Sequence, residues 1–198
     1  MNKQELEKIK QKALEKHIPI IMDDTLEIVD KILKEVKPKR ILEIGTAVGY
    51  SAINFVNELE EDVYVKTIER NDKRYEEAIK NINSIGYSKF IDVVHADATE
   101  YLPNLNEDNS YDVVFIDAAK GQYLKFLENG IRLAKDGAII IADNVLFKGR
   151  VLSDYNEHKH RTAVNRLRSY LEIINSDKRL KSTVMNIGDG IAVSVIKK

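Results

Sequence analysis

Arg40-Ile41-Leu42-Glu43-Ile44-Gly45-Thr46-Ala47-Val48-Gly49-Tyr50-Ser51 is an almost continuously apolar run that breaks on a glycine and resumes with helical spacing. Arg40 to Ile44 has the pattern of a parallel strand covered on both faces. Ser51 to Leu59 has the period of a helix. Gly45 and Gly49 permit the sharp turn between the two and let the backbone approach a ligand closely, while the free N–H groups of the helix start face the crevice. A nucleotide-like ligand fits such a loop, although two glycines also make an ordinary strand-to-helix turn.

Outward from this stretch the pattern repeats. Tyr111 to Asp117 and Gly137 to Ala142 are apolar runs of the same kind, Val63 to Ile68 and Ile91 to His95 are weaker strands, and Arg74 to Ile85 and Tyr123 to Ala134 have helical period. Alternation of strand and helix predicts an α/β sheet with helices on both faces. The β-branched runs Ser182 to Asn186 and Ile191 to Ile196, joined by Ile187-Gly188-Asp189-Gly190, predict an antiparallel hairpin at the end. The expected sheet therefore has seven strands and is mostly parallel. Ahead of it, Met1 to Lys16 reads as a polar amphipathic helix, and Asp24 to Val36 as a second helix ended by Pro38. The expected organisation is one domain over residues 1–198, with a helical cap at 1–37 on a Rossmann-like core at 38–198.

The 198 residues carry 31 basic and 32 acidic side chains, so no overall charge draws the chain to nucleic acid or membrane, and any such binding must be local. Cysteine is absent, which removes thiolate metal sites and cysteine nucleophiles together. Without a leader-like or membrane-spanning apolar run, a cytoplasmic setting is expected and no membrane partner.

Glu69 ends the second strand 20 residues after Gly49, where nucleotide-binding α/β folds place the carboxylate that accepts ribose hydroxyls. A dinucleotide fingerprint starting at Gly45 would need glycine where Ala47 and Tyr50 stand. That argues against a nicotinamide enzyme and for S-adenosylmethionine, which has no phosphate to cradle. Glu43 is expected near its amino group. Asp97, in His95-Ala96-Asp97-Ala98, could bond the adenine amino group, cap a helix over Thr99 to Leu102, or do both.

Asp117 ends one strand and Asp143, followed by Asn144, ends the next. Adjacent tips of a parallel sheet share one crevice, so two carboxylates and an amide there form a hard-oxygen site suited to Mg²⁺. The plain alternative pairs Asp117 and Asp143 with Lys120 and Lys148. Two uncompensated carboxylates would, however, repel unless a cation lay between them.

The motifs Glu43-Ile44-Gly45-x-x-x-Gly49-Tyr50-Ser51, Glu69, Phe115-Ile116-Asp117-x-x-Lys120 and Asp143-Asn144-Val145-Leu146 resemble, in order, those of the metal-dependent class I O-methyltransferases that include the catechol and caffeoyl-coenzyme A enzymes. The resemblance runs from about Pro19 to the C-terminus. It implies a cofactor site at Glu43, Gly45, Gly49, Tyr50, Ser51, Glu69, Asp97, Ala98 and Asp117. It further implies Mg²⁺ on Asp117, Asp143 and Asn144, Lys120 beside the acceptor hydroxyl as base or charge stabiliser with Asp117 as its catalytic neighbour, and a homodimer.

Within that family, His17-Ile18-Pro19-Ile20, Thr67-Ile68-Glu69-Arg70-Asn71, Asp117-Ala118-Ala119-Lys120-Gly121-Gln122-Tyr123 and Asp143-Asn144-Val145-Leu146-Phe147-Lys148-Gly149 are similar to the bacterial tRNA 5-hydroxyuridine methyltransferases. This resemblance implies a tRNA anticodon partner, methylated at the wobble position. The segment Lys148 to Arg168 would supply the basic contact through Lys148, Arg150, Arg161, Arg166 and Arg168. From charge alone the same segment is equally a solvated helix face with Val164, Leu167 and Leu171 in the core. Small catechol-like or caffeoyl-type acceptors are the alternative substrate. A non-catalytic nucleotide-binding module is the alternative of another class.

Overall fold

A computed structural model describes residues 3–154 and 157–198. Met1 and Asn2 of the expected first helix, and Tyr155 and Asn156 of the basic segment, lie outside the described residues.

In chain order the elements are α1 (Lys3–Glu15), α2 (Asp23–Val36), β1 (Arg40–Ile44), α3 (Tyr50–Glu58), β2 (Tyr64–Glu69), α4 (Asp72–Ile85) and β3 (Ile91–His95). There follow α5 (Ala98–Tyr101), β4 (Tyr111–Ile116), α6 (Tyr123–Leu133), β5 (Ala134–Ala142), α7 (Arg161–Ser176), β6 (Leu180–Met185) and β7 (Ile191–Ile196). The seven strands form one sheet in the order β3-β2-β1-β4-β5-β7-β6. β1 to β5 are parallel, and β7 runs against both β5 and β6. The α/β sheet with a terminal antiparallel hairpin, expected from the sequence, is what forms.

Strand alternation divides the core. Leu42, Ile44, Val114, Ile116 and Ile140 pack with Tyr123, Phe126 and Leu127 of α6 and Val164, Leu167 and Tyr170 of α7. On the other face Ile41, Val113, Phe115 and Ile141 pack with α1 to α4 through residues such as Ile9, Val29, Leu33, Ile53 and Ile82. Both faces being covered explains why the central strands lack polar alternation. Leu171, read as a core position, is only partly buried, and Tyr170 and Ile174 take the deeper places on α7.

β5 starts three residues before the expected Gly137. Ala134 pairs with Tyr111, and the register then shifts before Val113 meets Ile139, so Lys135 to Gly137 form an irregular opening that apolar periodicity does not register. Among the described residues no helix is long and apolar enough to cross a membrane.

At the amino ends of the strands, Glu107 accepts from Arg40 Nη2, Lys66 Nζ and the Tyr111 hydroxyl, each at 2.6 Å. One carboxylate thus compensates two cations, of which Lys66 is buried. Removing it leaves the buried ammonium with only the longer pair to Asp92 at 3.7 Å. Glu107→Ala should lower unfolding stability by on the order of 1.5–3 kcal/mol, the worth of hydrogen bonds to charged groups. Urea denaturation checks this, and an unchanged midpoint would show the network to be idle.

Candidate active site

All the parallel strands point their carboxyl ends to one edge, and a cavity of about 330 Å³ opens there. The loop after β1 forms its floor. Gly45 has φ +108°, and a Cβ added to it would lie 2.0 Å from the main-chain oxygen of Asp117, so only glycine allows β1's loop to touch the tip of β4. Its N–H, and that of Thr46, bond the carbonyl of Ile68. Ala47 adopts φ +47° and turns its N–H to Glu69 Oε2 at 2.9 Å. Gly49, at φ +82°, starts α3 against Ile82 and Ala78.

Glu69 lines the cavity. Asn71 N–H occupies its other oxygen at 2.8 Å, so two backbone donors fix the carboxylate while each oxygen keeps a lone pair for a ligand hydroxyl. Asp97 also lines the cavity and caps α5 by accepting from the N–H and hydroxyl of Thr99 at 2.8 and 2.7 Å. Both readings of Asp97 are compatible with this placement. The Thr99 hydroxyl, with its N–H and Arg70 nearby, holds the Asp97 carboxyl below the usual carboxylate range. Tyr50, Ser51 and Ala98 complete this part of the wall.

Glu43 and Gly49 are placed differently from expectation. Neither contributes to the cavity wall. Glu43 is fully buried beneath the loop and accepts from the hydroxyls of Ser51 and Thr67, because its side chain shares the covered sheet face with Ile41. Any contact with a ligand is therefore made by Ser51, with Glu43 behind it. Burial pushes the Glu43 carboxyl up to about 7, against the two hydroxyl bonds.

An acid raised in this way stabilises the fold fully below the unfolded carboxylate range near ~4.3. The contribution is lost as pH rises through about 7. Glu43→Gln keeps an acceptor for one of the two hydroxyls, meets the other with its NH2 and cannot ionise, so the variant's stability should fall less steeply than the wild type's between pH 5 and 8. Chemical denaturation across that range decides it, and parallel profiles would place the titration elsewhere.

The second half of the site lies on β4 and β5. Asp117 N–H bonds Ile44 O and Asp143 N–H bonds Ile116 O, so each strand tip continues the ladder of its neighbour. Asp117 and Asn144 line the cavity, and Asp143 is fully buried just behind them. Asp143 Oδ1 accepts the Asn144 N–H at 2.6 Å, whereas its Oδ2 has no hydrogen-bond partner among the described residues. Burial, then the charge of Asp117, push the Asp143 carboxyl up to about 7. Burial also raises Asp117, opposed by Lys120. Asn144 sits at φ +56°, which turns its amide into the opening.

Lys120 donates to Asn144 Oδ1 at 2.8 Å. Lys148 is exposed at φ +57° on the following loop. The ion-pair alternative for the two carboxylates is thus replaced by an amide contact. Among the described residues no three His, Cys, Asp or Glu side chains gather to hold a metal. The candidate set consists of two carboxylates and an amide.

A model of the O-methyltransferase family matches residues 2–197. The chain belongs to that O-methyltransferase family. It is 31% identical to the catechol O-methyltransferase of Niastella koreensis over 166 residues, covering 80% of this chain and 74% of that relative. To the caffeoyl-CoA O-methyltransferase of Stellaria longipes it is 30% identical over 174 residues, covering 83% and 71%. A Staphylococcus aureus structure provisionally assigned as a caffeoyl-CoA O-methyltransferase superposes with a TM-score of 0.90 at 32% identity, over 96% of this chain and 91% of that one. This O-methyltransferase thus carries the Rossmann-like methyltransferase fold.

Sequence reasoning missed Pro19 and Ile20 as one wall of the family's cavity, and Arg74 and Phe126 as others. Pro19 and Ile20 stand in a stretch that carries the resemblance, but Arg74 and Phe126 have no sequence signal, because α4, α6 and the segment before α2 bring these residues together only in space. In the basic segment, Lys148, Arg161 and Arg166 are exposed. Arg168 is not a free cation: its guanidinium donates to the carbonyls of Val151, Arg150 and Ser153 and so braces the loop. The guanidinium of Arg150 lies over the Phe147 ring, 5.1 Å from its centre.

Proposed function

We propose that the chain transfers the methyl group of S-adenosylmethionine to a hydroxyl that has a second oxygen on the neighbouring ring atom, with a divalent cation such as Mg²⁺ held by Asp117, Asp143 and Asn144. The observation that carries this reading is the buried, unpartnered Oδ2 of Asp143, whose ionisation Asp117 opposes. A buried carboxylate left so uncompensated fits a cation, and three hard oxygen donors suit Mg²⁺. When bound, the cation supplies Lewis acidity that makes the acceptor hydroxyl easier to deprotonate.

The chain's own residues do the rest. Glu69 accepts ribose hydroxyls, Asp97 faces the adenine amino group, and the Gly45 loop brings the donor's sulfur end against the tip of β4. Lys120, anchored to Asn144, sets a positive charge beside the acceptor oxygen. Its ammonium stabilises the developing oxyanion, and it serves as base only where its proton has been lost. Pro19, Ile20 and Phe126 exclude water from the wall. Holding oxygen, carbon and sulfur in line can supply about 7–11 kcal/mol of the barrier.

Catechol-like and caffeoyl-type molecules are the first acceptor class, in keeping with the names of the relatives. A second reading, 5-hydroxyuridine at the tRNA wobble position, offers the same oxygen pair. The exposed cations Lys148, Arg161 and Arg166 beyond the Asn144 tip favour it. Incubation with labelled cofactor, Mg²⁺ and either catechol, caffeoyl-CoA or tRNA that carries 5-hydroxyuridine at the wobble position tests both. Label on a vicinal-oxygen acceptor, and not on its single-hydroxyl analogue, is expected. Equal transfer to the analogue would refute chelation. Replacing Lys148 and Arg166 by Glu should depress only transfer to tRNA.

A further inference from the structure

Tyr123, the first residue of α6, is fully buried. Its hydroxyl donates to the main-chain carbonyl of Asp143 at 2.7 Å. This hydroxyl therefore ties the segment that leaves β4 through Asp117 to the tip of β5 at Asp143. The ring cannot swing away, since Tyr170 packs edge-on against it with centroids 5.6 Å apart. This link opposes separation of the two strand tips. It also fixes the carbonyl immediately before Asn144, whose left-handed backbone aims the amide into the cavity.

We infer that Tyr123 is a positioning residue that sets the spacing of Asp117 against Asp143 and Asn144 before a cation arrives. The inference rests on the cation reading above. Small divalent ions tolerate little error in donor placement. Groups that orient the donors of such sites commonly govern affinity by about 10–100-fold. Tyr170 is the built-in control: it is equally buried in the same layer, yet its hydroxyl has no hydrogen-bond partner among the described residues.

The test compares Tyr123→Phe and Tyr170→Phe with wild type in three measurements. These are Mn²⁺ titration of the cofactor-free protein by electron paramagnetic resonance, S-adenosylhomocysteine binding by calorimetry, and amide hydrogen exchange at residues 117–119 and 142–146. Tyr123→Phe should weaken Mn²⁺ about 10–100-fold and speed exchange in those two segments at least about tenfold. Homocysteine-product binding should stay within about twofold, and Tyr170→Phe should change none of the three. Unchanged exchange in Tyr123→Phe, an equal effect of Tyr170→Phe, or faster exchange spread over the whole sheet with loss of product binding would each overturn the inference. A wild-type protein that binds no Mn²⁺ would instead sink the cation reading, and the exchange comparison would still decide the role of Tyr123.

Discussion

Asp143→Asn is expected to lower methyl transfer by at least about 10²–10³-fold, the usual effect of removing one preplaced electrostatic group from a reaction centre. The same substitution should raise the melting temperature of the cofactor-free protein. The two effects have one cause. Asp143 is fully buried with its Oδ2 unpartnered, and burial, then Asp117, disfavour its charge, so ionising it costs the native state stability until something positive compensates it. Asparagine keeps the acceptor for the Asn144 N–H and removes the charge. Activity lost together with stability gained separates loss of a donor from loss of the fold. A lower melting temperature with retained turnover would show that Asp143 is only a structural cap. Binding of S-adenosylhomocysteine should persist, since the residues that would hold it, Glu69 and Asp97, lie at the end of β2 and just after β3.

Gly45→Ala is the second large effect. Its Cβ would stand 2.0 Å from Asp117 O and 2.9 Å from Asp117 C, atoms of a backbone that cannot yield without moving the β4 tip. The backbone conformation adds to this, because φ +108° disfavours any side chain. Together, strain of about 1–2 kcal/mol and overpacking of about 1–3 kcal/mol should destabilise the protein by on the order of 3 kcal/mol. Donor binding should fall with it, since the loop and Asp117 share the same cavity. Gly121→Ala is the control, as nothing lies within 4 Å of the added carbon. Gly49→Ala should fall between them, its nearest contact being the Ile82 side chain at 3.4 Å. If Gly45→Ala and Gly121→Ala behaved alike, the close approach of loop and strand would not be what this glycine is for.

Much of this was legible from one sequence because its signals are local. Apolar runs bounded by turns located the strands, and chain order with parallel-strand geometry brought Gly45, Glu69, Asp97, Asp117 and Asn144 to a single edge. What periodicity could not show was the depth of each group within that edge. Glu43 and Asp143 both follow apolar strand residues, yet one supports Ser51 beneath the loop and the other sits behind Asn144. Arg168 counted as a basic contact until the loop carbonyls it braces were known, since charge says nothing about which acceptors are near. Tyr123 stood in the sequence at the start of a helical stretch, and only the meeting of β5 and α6 gives its hydroxyl the carbonyl of Asp143.

The most direct test is methyl transfer to a catechol or 5-hydroxyuridine acceptor, measured in excess chelator and again after Mg²⁺ is restored. If Asp117, Asp143 and Asn144 share a cation that grips the acceptor, activity disappears with the chelator and returns with the metal. Full turnover in the chelator would mean that these oxygens serve another purpose.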